Sequence, residues 1–493
     1  MRTSGVLMHI SSLPSPYGIG TFGRSAYEFI DFLFDAGQSF WQILPLGQTS
    51  YGDSPYQSFS TYAGNPYFVD LDTLAWQGLL FPEDFRDAEW GTDPEEVDYE
   101  KMYRLRYPVL RLAARRFLDR GPAEFSEFCA AESRWLEDYA LFMALKDQRG
   151  GAAWQEWEEP LRRRESAALE HARCELADDI RFWKVVQFWF FTQWREVKRY
   201  ANDKGIRIIG DLPIYVAADS ADVWADPAQF QLDEDLRPVN VAGCPPDGFS
   251  RLGQLWGNPL FRWDNMREDG YGWWFGRIAQ ASELFDVIRI DHFRGFDSYY
   301  SIPRDLPDAR VGRWEQGPGI EFFHRMREVL GDKDIIAEDL GFLTDSVLQM
   351  VQDSGYPGMK VLQFAFDARE ESDYLPYHYG PHCVVYTGTH DNDTVLGWME
   401  HAPAEDVEFA KRYLRLTEEE GFHWGMMRGA LESVGDTAIL TMQDILGLDG
   451  RARMNTPSTL GCNWKWRMKA GAVTKELTAR LREYTQTYGR LRE

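Results

Sequence analysis

No run in this chain of 493 residues approaches the roughly 20 apolar residues that span a bilayer, and its longest apolar clusters are interrupted by Lys, Gln or Arg. A membrane-embedded role is therefore not expected. Positive charge is also scarce, with 53 Lys and Arg against 78 Asp and Glu and a formal net charge of −25. Surfaces that track phosphate need clustered Lys and Arg, so neither nucleic acid nor an anionic membrane is an expected partner. Cysteine is limited to Cys129, Cys174, Cys244, Cys383 and Cys462, which are widely spaced, odd in number and form no C-x-x-C pair. Thiols in a reducing cytoplasm are expected rather than disulfides. The stretch from Met1 to His9 breaks its apolar run with a histidine and has no signal-peptide core, so a soluble, cytoplasmic protein is expected. Gly5 and Gly18-Ile19-Gly20 fit neither the dinucleotide nor the phosphate-loop spacing, which disfavours nucleotide-sugar chemistry.

What is present is a series of acids that each follow a short apolar run. Asp291 follows Val287-Ile288-Arg289-Ile290, Glu338 follows Ile335-Ile336-Ala337, and Asp391 lies beyond Val384-Val385-Tyr386. In an eight-stranded parallel barrel the strands are buried hydrophobic runs, and catalytic groups sit where each strand emerges at its C-terminal end. Eight candidate strands can be read. They are Val6–Ile10, Phe40–Leu44, Ile206–Ile209, Val287–Ile290, Ile335–Ala337, Lys360–Phe364, Val384–Tyr386 and Ala438–Met442. Amphipathic stretches from Phe22 to Ala36 and from Val185 to Asp203, each followed by Gly, give the α-then-β alternation of such a sheet. The expected fold is α/β, a (β/α)8 TIM barrel with helical and loop insertions on its C-terminal face and no separate C-terminal β-domain, spanning 1–493 as one catalytic unit. Residues 72–180 are too many for one crossover and carry helical spacing through Tyr107–Phe117 and Trp135–Leu145, so a mostly helical inserted subdomain is expected there. Residues 219–270, with Gly243-Cys244-Pro245-Pro246-Asp247-Gly248 at their centre, are expected to be an inserted active-site loop.

Cleaving an acetal needs one group to protonate the leaving oxygen and a carboxylate that attacks the anomeric carbon or activates water. Asp291 is the candidate nucleophile, because Arg289 two positions earlier shares its strand face and would hold it ionised. Glu338, flanked by Ala337 and isoleucines, is the candidate acid/base whose carboxyl burial would raise. Asp391 would bind sugar hydroxyls and stabilise the transition state, with His390 and His292 as neighbouring partners. Each acid has a plainer reading as a helix cap or a structural ion pair, and for Asp211 cap and catalysis stand level. Joint placement at strand ends favours chemistry. His9 reads as a core histidine. Tyr51, Tyr56, Tyr62, Tyr67 and Trp256 could be packing aromatics, although their Gly- and Pro-rich surroundings suit sugar stacking. Consecutive donors in His390-Asp391-Asn392-Asp393 point in different directions, so no metal and no other cofactor is expected.

Several motifs then carry a resemblance. Ser12-Leu13-Pro14-Ser15-Pro16-Tyr17-Gly18-Ile19-Gly20, Tyr51-Gly52-Asp53-Ser54-Pro55-Tyr56-Gln57-Ser58, Gly210-Asp211-Leu212-Pro213-Ile214-Tyr215-Val216 and Trp256-Gly257-Asn258-Pro259 resemble those of the amylomaltase or 4-α-glucanotransferase family, related to the α-amylases. So do Arg289-Ile290-Asp291-His292-Phe293-Arg294-Gly295, Ala337-Glu338-Asp339-Leu340-Gly341 and Thr389-His390-Asp391-Asn392-Asp393-Thr394, and the likeness runs from Ser4 to Arg467. The resemblance implies transfer of a 1,4-α-glucan segment to the 4-hydroxyl of another glucan or glucose, with retention and with the Asp291 and Glu338 carboxyls about 5 to 5.5 Å apart. It implies maltooligosaccharides as partners and a monomer or weak homo-oligomer. It also implies substrate contacts for Tyr56, Asp211, Trp256, Asn258, Arg289, His292, His390 and Asn463, a separate glucan surface at Tyr51, and a cover formed by Gly243 to Asn258. His9-Ile10-Ser11-Ser12, Gln48-Thr49-Ser50, Cys244 and Gly248 depart from the family pattern and leave acceptor length open. Hydrolysis of the same glucans, or glucan binding without catalysis, are the alternatives, and a binding scaffold has no need of all three acids.

Overall fold

A computed structural model gives the structure, which describes residues 2–50, 52–246, 250–341 and 343–492. Eight parallel strands form its centre: β1 (Thr3–Leu7), β2 (Phe40–Gln42), β3 (Arg207–Pro213), β6 (Val287–Asp291), β9 (Ile335–Ala337), β10 (Gly358–Val361), β11 (Cys383–Tyr386) and β12 (Thr437–Thr441). They are ordered β10-β11-β12-β1-β2-β3-β6-β9. A 2.9 Å hydrogen bond from the Ala337 N–H to the Pro357 carbonyl brings β9 back beside β10, so the sheet closes as a barrel. All eight strand positions expected from the sequence are occupied, with shifted ends. β1 begins at Thr3 rather than Val6, because its first half is polar or small: Ser4 is buried with its hydroxyl donating to Gln38 Oε1, and Gly5 lies where a Cβ would meet the Phe40 carbonyl oxygen at 2.6 Å. β10 stops at Val361, and Leu362–Phe364 turns into a 3₁₀ segment.

Between β2 and β3 the chain is mostly helical. Tyr107–Leu118 and Ser133–Gln148 carry the helical spacing read from the sequence. The expected boundary at 180 falls inside one continuous helix, Ala177–Asp203, whose buried Trp183, Trp189, Phe190, Phe191 and Trp194 join the insertion to the barrel as one apolar core. Aromatic rings make this junction because each buries about 150 to 250 Å². No described helix is long and apolar enough to cross a membrane.

The segment 219–270 is more ordered than a loop. It contributes β4 (Asn240–Cys244) and β5 (Gln254–Pro259), which join β7 (Ser298–Pro303) and β8 (Arg313–Gln316) in a four-stranded antiparallel sheet of order β5-β4-β7-β8. Gly243, Gly253, Gly257 and paired prolines interrupt any alternation, so these strands look like loop in the sequence.

Candidate active site

The acids emerge from neighbouring barrel strands in a fixed register. Asp211 on β3 pairs with Arg289 on β6, and Pro213 pairs with Asp291. Ile290 on β6 pairs with Ala337 on β9, which sets Asp291 and Glu338 side by side as the next residues of two adjacent parallel strands. Neighbouring strands lie about 4.8 Å apart, so backbone register alone brings these two carboxyl groups close. Further hydrogen bonds lock the junction. The Glu338 N–H donates to the Ile290 carbonyl at 3.1 Å, and the Phe293 N–H donates to the Glu338 carbonyl at 3.0 Å.

Arg289 is the electrostatic centre. One Nη1 donates to both Asp211 oxygens, at 2.8 and 2.7 Å, and to Asp291 Oδ1 at 3.0 Å. Burial works against its charge, but Asp211 and Asp291 outweigh that cost and hold its pKa well above the ordinary value. Asp291 is different in that 29% of its side chain is exposed. Burial at the cleft floor raises its pKa, and Arg289 pulls in the opposite direction. Desolvation is the larger effect, so Arg289 does not by itself hold Asp291 ionised as its place on the same strand face suggests. Glu338 is also raised, by burial first, while Arg289 opposes and the Asp291 charge adds to the rise. Its two oxygens are gripped by backbone donors, Oε2 by the His292 N–H at 2.7 Å and Oε1 by the Leu340 N–H at 2.8 Å. To present that N–H, His292 adopts a left-handed φ of 54°, a conformation uncommon for a non-glycine residue.

Asp391 sits on the facing wall with 47% of its side chain exposed. Asn455 Nδ2 donates to its Oδ1 at 2.6 Å, His390 Nε2 lies 3.4 Å from the same oxygen, and Arg453 donates to its backbone carbonyl at 2.6 Å. His390 stacks on Tyr56 with ring centroids 5.1 Å apart, and Trp464 lies 5.7 Å from Tyr56. Across the cleft, Trp256 stands edge-on to His292 at 4.8 Å. Among the described residues the His292 Nε2 is buried with no hydrogen-bond partner, and burial together with Arg294 lowers this imidazole to about 3, which favours its neutral form.

The structure thus brings Asp291, Glu338, Asp391, Tyr56, Arg289, His292, His390 and Trp256 together through direct contacts, and it buries Asp211, Asn258 and Asn463 with their polar atoms engaged by protein groups. Asp211 has no exposed side-chain surface, and its oxygens are taken by Arg289 and by the Tyr56 hydroxyl at 2.7 Å, so it positions those two residues. Asn258 accepts from Gln57 Nε2 at 3.0 Å and donates to the Val216 carbonyl at 2.8 Å, which ties β5 to the segment that follows β3. Asn463 spends its amide closing its own loop, accepting from the Thr456 N–H at 2.9 Å and donating to the Thr459 carbonyl at 3.0 Å. Tyr51 and Gly248 lie outside the described residues. His9 accepts from the Leu44 N–H at 3.3 Å and packs edge-on against Phe68, which is the core placement expected. Asn455 and Arg453 were missed. They reach Asp391 from a loop beyond β12, where no strand-end pattern marks them.

A family model described as 4-alpha-glucanotransferase matches residues 8–474. The chain is similar to the 4-alpha-glucanotransferase of Clostridium butyricum, with 50% identity over 485 residues covering 98% of this chain and 100% of that protein. It is 48% identical over 501 residues to the Thermus thermophilus protein of the same name, with 99% of each covered. Among solved structures, amylomaltase from Streptococcus agalactiae in complex with acarbose superposes with a TM-score of 0.97 at 45% identity, covering 99% of this chain and 100% of that one. Amylomaltase from Corynebacterium glutamicum, 19% identical, has a TM-score of 0.79 over 99% of this chain and 75% of that one, a likeness of fold.

Proposed function

The chain belongs to the 4-alpha-glucanotransferase family, and from that premise we propose that it moves a segment of a 1,4-α-glucan to the 4-hydroxyl of an acceptor glucan or glucose by a retaining double displacement at Asp291 and Glu338. In the first half-reaction Glu338 gives its proton to the glycosidic oxygen while Asp291 attacks the anomeric carbon, forming a glycosyl–aspartate and releasing the shortened donor. In the second, Glu338 takes the proton of the acceptor 4-hydroxyl, the new oxygen attacks the same carbon, and Asp291 leaves. Asp391, fixed by Asn455 and His390, holds sugar hydroxyls as the ring distorts toward the oxocarbenium-like transition state.

The observation that carries this reading is the pairing of Ile290 with Ala337, which seats the two working carboxyls on adjacent strand ends. An inverting site has to leave room between them for a water, whereas a retaining one does not. The electrostatics agree. Burial lifts Glu338 so that it can hold a proton, and Arg289 gives a carboxylate at Asp291 a counter-charge. Transfer over hydrolysis requires that the intermediate be screened from water until an acceptor arrives. The β4–β5 hairpin with Trp256 is the proposed screen.

Incubation with maltotriose alone tests this. Glucose together with oligosaccharides longer than maltotriose is the expected product set, and Asp291→Asn or Glu338→Gln should abolish it. Only shorter sugars would make the protein a hydrolase.

A further inference from the structure

Arg289 is held at more than its carboxylate end. Its Nη1 has two N–H bonds to share among three oxygens, both of Asp211 and Oδ1 of Asp291. A guanidinium attached through that nitrogen alone could swing about it and carry its charge away from the carboxyls. A second attachment stops the swing, because Nε donates to the Met359 sulfur at 3.4 Å. Both residues are buried. Among the described residues the Met359 sulfur is the acceptor that Nε finds, and a buried N–H left without one bears its desolvation cost in full.

Met359 is in turn fixed from the side of the acid/base. It stands on β10, and its N–H donates at 2.7 Å to Oδ1 of Asp339, the residue after Glu338. Gly358 leaves that carboxylate its room, since a Cβ there would collide with it. Contacts therefore run without a break from the end of β9 through Asp339, Met359 and Arg289 to Asp291. A methionine can fill such a space as packing alone, which is the common use of its flexible, polarisable side chain. A leucine would pack there too, but would leave Nε stranded. The thioether is a weak, uncharged acceptor, so it orients the guanidinium without the competing charge that a carboxylate in its place would bring.

We propose that Met359 is a positioning residue for the glycosyl step at Asp291, its sulfur fixing the plane of Arg289 so that the guanidinium charge stays directed at Asp291 and Glu338. This inference rests on the roles given to those two acids above. The charged and titratable groups that face Arg289 are Asp211 on β3, Asp291 on its own strand, Glu338 after β9, Tyr56 from the loop after β2 and Tyr386 on β11. His390 and Asp391 also face Asp291, and Tyr374 faces Glu338. Burial raises both working carboxyls and Arg289 lowers both. A guanidinium that drifts out of plane must therefore let the two rise together.

The pH dependence of kcat/KM with maltotriose, whose two limbs report the coupled Asp291–Glu338 pair, tests the proposal. Met359→Leu keeps an apolar side chain of similar volume and removes the acceptor. Both limbs should move to higher pH by roughly 0.3 to 1 pH unit, a fraction of the one to three that a whole opposite charge produces, and kcat should fall roughly three- to ten-fold. Met359→Gln, which returns an acceptor on an unbranched stem, should restore the wild-type limbs. Norleucine incorporated in place of methionine deletes only the sulfur and covers a Leu variant that does not fold; it should move the limbs of the wild-type chain and leave those of the Met359→Gln chain in place. Limbs that stay put in the Leu and norleucine proteins, or that move equally in the Leu and Gln variants, would reduce Met359 to packing and overturn the proposal. A wild type that makes no sugar longer than maltotriose would sink the transfer reading alone, since the limbs of glucose release report the same two acids.

Discussion

Arg289 touches two aspartates with different duties, and the difference comes from burial rather than from residue type. Asp211 is sealed and neutralises the guanidinium, whereas Asp291 keeps part of its surface open to the cleft. Removing one partner of a buried pair strands the other charge at a cost of about 3 to 5 kcal/mol, so Asp211→Ala should lower stability as well as activity, measurable together by urea denaturation and rate. Asn455→Ala removes a hydrogen bond to a charged group and should cost about ten- to a hundred-fold in kcat/KM with an unchanged unfolding midpoint. For pH, Glu338 must hold its proton in the first step, and its value is raised. The alkaline limb of kcat/KM should therefore lie well above the ordinary glutamate value of about 4.3. That limb should vanish with an activated donor whose leaving group needs no protonation. Asp291, Glu338 and Asp391 were legible because each follows an apolar run. Asn455 was not, because a residue that reaches an acid from a distant loop carries no periodic signal. Asp211, Asn258 and Asn463 sit in recognisable motifs, but a motif does not say whether a side chain faces the cleft or holds the wall behind it.

At the level of elements, the barrel strands were readable wherever both faces are buried, since such strands are continuous hydrophobic runs. Strands β4, β5, β7 and β8 were not, because they are short, broken by glycine and proline, and owe their pairing to one another rather than to their own pattern. The base of the barrel depends on one side chain in the same non-local way. Arg490, fully buried, donates to the carbonyls of Leu431, Thr3, Asp436, Ser433 and Gly435, joining the C-terminal segment to the starts of β1 and β12. Arg490→Leu removes all five bonds, although Arg2 still donates to the Leu431 and Ser433 carbonyls and the Thr3 N–H to that of Asp436, and should destabilise the fold by about 3 kcal/mol, read from the urea midpoint, with little effect on KM.

Over the whole molecule, barrel and helical insertion share one apolar cluster through the helix Ala177–Asp203, so we expect them to melt in a single calorimetric transition, and two separated transitions would show that the insertion is an independent unit. The same cluster includes Trp464 and has Trp256 packed against it, so the aromatic residues of the site rest on that shared core. In the proposed mechanism Asp291 carries the sugar between donor and acceptor. Mass spectrometry of the Glu338→Gln protein after exposure to α-glucosyl fluoride tests it directly, since this donor needs no acid and the variant lacks the base that would discharge the intermediate. A mass increase of one glucosyl unit on the peptide containing Asp291 is expected; an unmodified Asp291 peptide, with sugar absent or attached elsewhere, would rule out Asp291 as the nucleophile.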